Sequence, residues 1–216
     1  MKIEVKNLSK EFKKILILDN ISVTFEKGKI YGLIGRNGSG KSVFLKILCA
    51  LYEPTNGEVL YDETNIFKEE KIPSNTRALI ESPNFIEELT GYENLEMLAN
   101  IQNKIGRHEI EEALRKVNLY EEKDKKYSKY SLGMKQKLGI AQVLMEDPEV
   151  MILDEPFNGI EEETAVKLRN ILKEEQKKGK IIILASHIKE DIENLADVIY
   201  KFDGGKIKIS KKVNKE

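Results

Sequence analysis

Cysteine and long apolar runs are scarce in this chain. Cys49 is the single cysteine among 216 residues, so no internal disulfide can form, and one thiol supplies too few ligands for a metal site. We interpret Cys49 as a small apolar residue packed in a helix. No uninterrupted apolar segment approaches the roughly 20 residues that a membrane helix needs, and the first residues, MKIEVKNLSKEF, lack the apolar core of a signal peptide. We therefore expect a cytosolic protein, or one that reaches a membrane only through a partner.

An excess of charge of one sign is also missing. The chain has 36 basic and 37 acidic side chains, which give a formal net charge of -1. Binding to nucleic acid through phosphates requires a basic face, and no cluster of basic residues indicates one, so we expect no nucleic-acid partner. With 40% apolar and 34% charged residues, the sequence predicts a globular protein with a highly charged surface.

Two kinds of apolar pattern indicate the fold class. Continuous apolar runs, which are typical of strands buried on both faces of a parallel sheet, occur in KIYGLIG, TRALIES, EVMILDE and KIIILAS. Stretches with helical periodicity lie between them, as in an α/β fold. Alternating patterns, which predict half-exposed antiparallel strands, occur in KIEVKNL, ISVTFEKG, GEVLYDE and GGKIKIS.

Between about residues 89 and 147 the strand signal disappears. Thr90 is followed three residues later by Glu93, which is a capping box, and HEIEEALRKVNL and KQKLGIAQVLME have helical periodicity. We predict one domain over residues 1–216. In it, residues 1–88 and 148–216 form an α/β core with an antiparallel β subdomain, and residues 89–147 form an all-helical insertion.

A phosphate-binding loop is predicted between the first continuous run and the helix that follows it. The stretch GRNGSGKS fits the pattern G-x-x-x-x-G-K-[ST] at every fixed position. Glycines let the backbone turn tightly and present N–H groups to anions, and a helix that begins near Lys41 adds the positive end of its dipole. Lys41 brings a full charge to the β- and γ-phosphates, and the Ser42 hydroxyl can ligate Mg²⁺. The predicted phosphate-binding residues are Gly35, Arg36, Asn37, Gly38, Ser39, Gly40, Lys41, Ser42 and Val43.

The alternative interpretation is a glycine-rich turn that merely joins a strand to a helix. The preceding strand KIYGLI and the following amphipathic SVFLKILCAL are the context that the phosphate loop requires. The sequence therefore favours nucleotide binding on a parallel sheet of the P-loop NTPase type.

Two acidic residues follow a second buried strand. In EVMILDEPFNG, four apolar residues lead into Asp154 and Glu155, at the carboxyl edge where open α/β sheets bind ligands. Asp154 suits Mg²⁺, and Glu155 suits a water that attacks the γ-phosphate. Two solvated acids at the end of a strand are a common alternative, but the phosphate loop upstream favours the functional interpretation.

The stretch YSLGMKQKLGIAQ resembles the signature motif of the ATP-binding-cassette (ABC) ATPases, and the resemblance spans nearly the whole chain. In that family the signature Ser and Gly contact the γ-phosphate of ATP held by the partner subunit. The resemblance therefore implies this role for Ser131 and Gly133, with ATP and Mg²⁺ as cofactors. Ser131 is a predicted helix N-cap, which suits a helix end facing an anion. Leu132 replaces the glycine more usual at its position.

Two further positions take family roles by resemblance. LASHIKED resembles the switch region, so His187 takes the place of the histidine that contacts the γ-phosphate, whereas a lone histidine after a strand is ordinarily structural. Phe12 lies where the family has its adenine-stacking aromatic, and a core aromatic flanked by lysines is the alternative. The other histidine, His108, matches no motif and is interpreted as a surface helix residue.

Two positions depart from the family pattern. Glu81 in ALIESPNF stands where the family has a glutamine that touches Mg²⁺ and the attacking water. A carboxylate there can still ligate Mg²⁺ but adds negative charge near Asp154 and Glu155, so we expect a tighter Mg²⁺ dependence or a shifted pH profile. Glu161 replaces the usual Asp of the loop that spans the family's dimer.

The segments ALIESPNF, ELTGYENL and YSLGMKQKLGIA most resemble the ATPase subunits of bacitracin- and lantibiotic-type peptide efflux or immunity transporters. This resemblance implies an ATPase at the inner face of the cell membrane, a separate membrane permease and an ATP-dependent head-to-tail dimer. The alternatives are a soluble ABC ATPase acting on ribosomes or DNA and a small-molecule kinase with a phosphate loop. The first is disfavoured by the single cassette without a long coiled-coil insertion, and the second leaves the signature stretch and His187 without a role.

Overall fold

The computed structural model describes residues 1–212, which form ten strands and six α-helices. The strands are β1 (Lys2–Phe12), β2 (Ile15–Glu26), β3 (Lys29–Ile34), β4 (Asn56–Tyr61), β5 (Thr64–Asn65), β6 (Thr76–Leu79), β7 (Val150–Asp154), β8 (Ile181–Ser186), β9 (Val198–Asp203) and β10 (Lys206–Lys212). The helices are α1 (Lys41–Leu48), α2 (Gly91–Gln102), α3 (Arg107–Lys116), α4 (Leu132–Leu144), α5 (Glu162–Lys177) and α6 (Lys189–Glu193). No helix within residues 1–212 has both the length and the apolar character to cross a membrane.

A six-stranded sheet forms the centre of the protein. Its order is β10-β9-β3-β8-β7-β6, in which β9, β3, β8, β7 and β6 run parallel and β10 pairs antiparallel with β9. Every residue of β7 and β8 is buried, because helices cover one face, and α1 together with the second sheet covers the other. The continuous apolar runs therefore identify four parallel strands, and the predicted α/β class is confirmed. Burial on both faces holds for β3, β7 and β8, whereas β6 lies at the edge of the sheet and is only partly buried.

The second sheet is antiparallel, with the order β2-β1-β4-β5. Its long strands alternate between buried and exposed side chains, as their sequence pattern predicts. Buried aromatic rings connect this sheet to α1 and the central sheet. The ring of Phe25 on β2 lies 4.9 Å from that of Tyr31 on β3 and 6.3 Å from that of Phe44 on α1. The two sheets thus enclose α1 in a shared apolar core.

Three helices, α2, α3 and α4, occupy residues 91–144, where strand signals are missing from the sequence. Their apolar faces join those of α5 and α6 in a second core on the opposite face of the central sheet. The predicted capping box begins α2: Thr90 Oγ1 accepts from Glu93 N at 3.1 Å, and Thr90 N donates to Glu93 Oε2 at 2.7 Å. Helix α4, which carries the signature stretch, packs against β6 of the central sheet. The signature stretch is therefore held close to the sheet that carries the acidic residues.

Replacing Thr90 with Ala should lower the free energy of unfolding by about 1 kcal/mol, because an N-terminal N–H of α2 loses its acceptor. Urea unfolding followed by circular dichroism measures the change. The exposed Ser128 supplies the control, and Ser128→Ala should stay within about 0.5 kcal/mol of the unmodified protein. Equal losses in the two variants would contradict the capping interpretation.

Candidate functional site

The turn between β3 and α1 holds a buried lysine inside a loop of backbone carbonyls. Lys41 is 6% exposed, and its Nζ donates to Gly35 O at 2.7 Å and to Arg36 O at 3.2 Å. Gly40 has a φ of 103°, and a Cβ there would lie 2.7 Å from Leu18 Cδ2, so the turn requires glycine at this position. Burial lowers the pKa of the Lys41 ammonium, an effect that the charges of Glu155 and Asp154 oppose.

Asp154 and Glu155 lie opposite this lysine, where β7 reaches the carboxyl edge of the sheet. Asp154 is 5% exposed, and its carboxylate lies near the side chain of Ser42. Burial raises the pKa of the Asp154 carboxyl, the Ser42 side chain lowers it, and the neighbouring Glu155 charge raises it. The phosphate loop and the acidic strand end therefore meet, as the sequence predicts for the two motifs.

The Glu155 carboxylate is held by residues at the end of β8. Its Oε2 accepts from Ser186 Oγ at 3.1 Å, and its Oε1 accepts from His187 N at 2.9 Å. The Nδ1 of His187 also lies 2.9 Å from Glu155 Oε1. A carboxylate and an imidazole in contact at the mouth of a cavity form a pair that can accept or orient a proton.

A cavity of about 530 Å³ unites most of the predicted ligand-binding residues, and its volume lies within the range of roughly 300–1,000 Å³ found for ligand sites. Its lining residues are Phe12, Ile17, Asn37, Gly38, Ser39, Gly40, Lys41, Ser42, Val43, Glu81, Ser82, Gln136, Asp154, Glu155 and Asn158. An adjoining cavity of about 800 Å³ on the other side of the phosphate loop is lined by Gly35, Arg36 and His187.

Phe12 and Glu81 lie on the rim of the first cavity. Phe12 ends β1, is 38% exposed and stacks edge-on against Tyr52 with ring centroids 5.4 Å apart, so it is not the core aromatic of the alternative interpretation. Glu81 follows β6 with a φ of 65° and pairs through Oε1 with Lys46 Nζ at 2.5 Å. The extra acid at this position is therefore accompanied by a cation from α1.

Ser131 and Gly133 line neither of these cavities. Ser131 is the N-cap of α4, as predicted, and its Oγ accepts from Met134 N at 3.2 Å. A Cβ on Gly133 would lie 2.8 Å from Gly159 O, so the helix start packs closely on the loop after β7. Leu132 between them is 63% exposed, and Glu161 is the N-cap of α5 without a side-chain capping bond. The signature residues thus form an exposed helix end outside the nucleotide-sized cavity of the same chain.

Sequence reasoning missed several residues around the cavity. Gln136 of α4 is 5% exposed, lines the cavity, and its Nε2 donates to Glu155 O at 3.0 Å. It lies within the signature stretch, which is the signal that could have identified it. Lys46 and Tyr52 carry no motif, and only the fold brings them next to Glu81 and Phe12.

The oxygen-bearing side chains at the phosphate loop suit a nucleotide with bound Mg²⁺. No group of three or more His, Cys, Asp or Glu side chains within residues 1–212 is arranged to hold a metal on its own. Mg²⁺ is commonly bound by one or two carboxylates together with substrate phosphates. The Ser42 hydroxyl and the buried Asp154 carboxylate line the same cavity as the Lys41 ammonium and the glycine-rich turn, and they provide that kind of incomplete ligand set.

Comparison with known proteins identifies relatives over the full length of the chain. The model of the family described as "ABC transporter" matches residues 18–158. An uncharacterized ABC transporter ATP-binding protein of Bacillus subtilis (strain 168), YybJ, is 41% identical over 98% of this chain and 97% of its own length. The bacitracin transport ATP-binding protein BcrA of Enterococcus faecalis is 43% identical over 91% of this chain and 65% of its own length. The lantibiotic transport ATP-binding protein SrtF of Streptococcus pyogenes is 36% identical over 97% of this chain and 90% of its own length.

Solved structures of ATP-binding cassettes superpose on this chain. The ATP-binding subunit of an ABC transporter superposes with a TM-score of 0.87 at 29% identity, covering 96% of this chain and 88% of the other. A dimeric ATP-binding cassette in a post-hydrolysis state with ADP and Pi shares the fold, with a TM-score of 0.90 at 23% identity over 99% of this chain and 100% of the other.

The two histidines of the chain allow a matched test of the Glu155–His187 pair. Replacing His187 with Ala should lower the turnover of ATP about 100-fold with little change in KM, because positioned acid–base groups contribute at least this factor. Release of phosphate measures the rate. His108→Ala, on the exposed face of α3, is the control and should keep the turnover of the unmodified protein. A His187→Ala variant as fast as that control would contradict the role assigned to the pair.

Proposed function

The chain belongs to the ABC transporter family and is an ATP-binding, ATP-hydrolysing subunit, and we propose that it drives a separate membrane permease in efflux of, or immunity to, an antimicrobial peptide. The proposed link to antimicrobial peptides is supported by the similarity to bacitracin and lantibiotic transport ATP-binding proteins. The protein would act at the inner face of the cell membrane, held there by the permease.

One observation carries the proposal: the residues that suit ATP are divided between two places on the chain. The phosphate loop, Asp154 and Glu155 line one cavity, whereas Ser131 and Gly133 lie outside it at the exposed start of α4. The N-terminal end of a helix favours an anion, and the start of α4 lies outside the cavity that suits ATP. A second copy, placed head to tail, would bring the helix end to the γ-phosphate. Residues 89–147 would then act as a helical subdomain that presents the signature to the partner.

Within each site the motifs and the family resemblance suggest a role for each residue. Lys41 and the backbone of Gly38–Gly40 would hold the β- and γ-phosphates, and Phe12, on the rim of the cavity, would stack on the base. Ser42 and Asp154 would hold Mg²⁺, which neutralises phosphate charge when bound. Glu81, on the cavity rim, is a third candidate ligand.

Glu155 would position the attacking water at the γ-phosphate. Its carboxylate is kept in place by Ser186 Oγ and the His187 main chain, so a single orientation faces the cavity. His187 in turn places its imidazole against Glu155. It would contact the γ-phosphate, as the resemblance of LASHIKED to the family's switch region implies. Hydrolysis would remove the phosphate that holds the two copies together and reset the permease.

Replacing Glu155 with Gln separates binding from hydrolysis. The variant retains the phosphate loop and Lys41, so it should bind MgATP, but turnover should fall at least about 100-fold because the attacking water loses its base. The ATP-loaded form should accumulate as a dimer, which size-exclusion chromatography with light scattering detects. Lys41→Ala provides the matched control, because loss of the phosphate-binding charge should leave it monomeric at the same ATP concentration. A Glu155→Gln chain that binds MgATP and stays monomeric would contradict the shared site.

Purification from membranes separates the transporter from a soluble ABC ATPase. An affinity-tagged chain extracted in mild detergent should retain a hydrophobic, multi-spanning permease as its partner. Purification with ribosomal RNA, and without such a protein, would favour the soluble alternative instead.

A further inference from the structure

We propose that Lys46 is a positioning residue that neutralises Glu81 at the rim of the nucleotide cavity and so maintains the affinity of the site for ATP. The inference rests on the assignment of this cavity to ATP. It concerns a lysine that does not line the cavity and acts through the carboxylate that does.

The contact between these residues is direct. Lys46 lies in the last turn of α1, and its Nζ is 2.5 Å from Glu81 Oε1. The side chain of Lys46 is 18% exposed, whereas that of Glu81 is 63% exposed. A mostly buried ammonium therefore pairs with an exposed carboxylate, and the C-terminal end of α1 favours a cation.

Tyr52 supports the lysine from a second direction. Lys46 Nζ lies 5.3 Å from the centroid of the Tyr52 ring, within the range of a cation–π contact. Lys46 O also accepts from Leu51 N at 2.9 Å and from Tyr52 N at 3.4 Å, so the chain after α1 folds back over this lysine. Because Tyr52 packs on Phe12, one connected wall extends from the proposed base-binding aromatic to Glu81.

The electrostatic balance of the cavity explains why a compensating cation is needed. Asp154, Glu155 and Glu81 all line a cavity assigned to a triphosphate, and Lys41 is the one lysine among its lining residues within the described chain. The Glu81 charge reaches Asp154, since it contributes to raising the pKa of that carboxyl. An uncompensated third carboxylate would repel the polyanion across the cavity. Lys46 removes this repulsion while Glu81 keeps its place on the rim.

The ion pair bears on an expectation drawn from the sequence alone. There, Glu81 adds negative charge beside Asp154 and Glu155, and a tighter Mg²⁺ dependence or a shifted pH profile stays a prediction. In the structure the added charge belongs to an ion pair, so its consequence depends on Lys46.

A double-mutant cycle tests the proposal with Mg²⁺-free ATP in EDTA at low ionic strength, where affinity is measured by calorimetry without hydrolysis. Lys46→Met should weaken ATP binding about fivefold to tenfold, because Glu81 is left uncompensated. Glu81→Gln should tighten binding about twofold to fivefold, because Lys46 then adds to the positive field. The double variant should return to within about twofold of the unmodified protein. Lys68→Met, which breaks the exposed Lys68–Glu58 pair outside the cavity, is the matched control.

Rescue in the double variant distinguishes compensation from direct contact. A double variant as weak as Lys46→Met, or a Lys46→Met variant that binds like Lys68→Met, would overturn the inference. A second comparison leaves Lys46 intact in case its replacement does not fold. Glu81→Asp shortens the acid away from Lys46 and should weaken binding, whereas Glu81→Gln should tighten it; shifts in the same direction would overturn the inference. If the unmodified protein binds no ATP at all, the proposed function fails rather than the ion pair.

Discussion

The position of one buried ammonium constrains the rest of the site. Lys41 is enclosed by the turn that leads from β3 into α1, and the carbonyl groups of Gly35 and Arg36 accept hydrogen bonds from its Nζ. Burying a cation is unfavourable unless polar groups surround it, so the glycines, the parallel strand and the helix start all have to meet at this point. The acidic end of β7 lies opposite because β7 is in the same sheet, separated from β3 only by β8. The cavity follows from this arrangement.

The same sheet connects nucleotide chemistry to the helical region. β8 ends in Ser186, which together with the main chain of His187 fixes the carboxylate of Glu155, and Gln136 of α4 binds the Glu155 carbonyl. The helix that carries Ser131 is therefore tied to the acidic residue through a single hydrogen bond at its second turn. A displacement of α4 would pull on Glu155 through the Gln136 hydrogen bond. This bond provides a physical route by which ATP hydrolysis at Glu155 could be linked to movement of α4 against a partner protein.

The sequence predicts the parts of this arrangement that depend on local pattern. Continuous runs identify four strands of the parallel sheet, Thr90 and Glu93 predict a helix start, and GRNGSGKS predicts the loop that holds Lys41. Contacts between distant segments are not encoded in this way. The pairing of Lys46 with Glu81 joins residues 35 positions apart, and Gln136 reaches Glu155 across a helix and a strand. No periodicity or spacing signals such pairs, because they arise only when α1, β6, α4 and β7 assemble around one cavity.

The central claim is that one chain contains only half of each ATP site, and the most direct test is a crystal structure of Glu155→Gln with MgATP. The account predicts two copies arranged head to tail, with each Ser131 hydroxyl about 3 Å from the γ-phosphate held by the other copy's Lys41. An ATP-loaded chain in which Ser131 faces solvent, and no neighbouring copy approaches the phosphate, would contradict it.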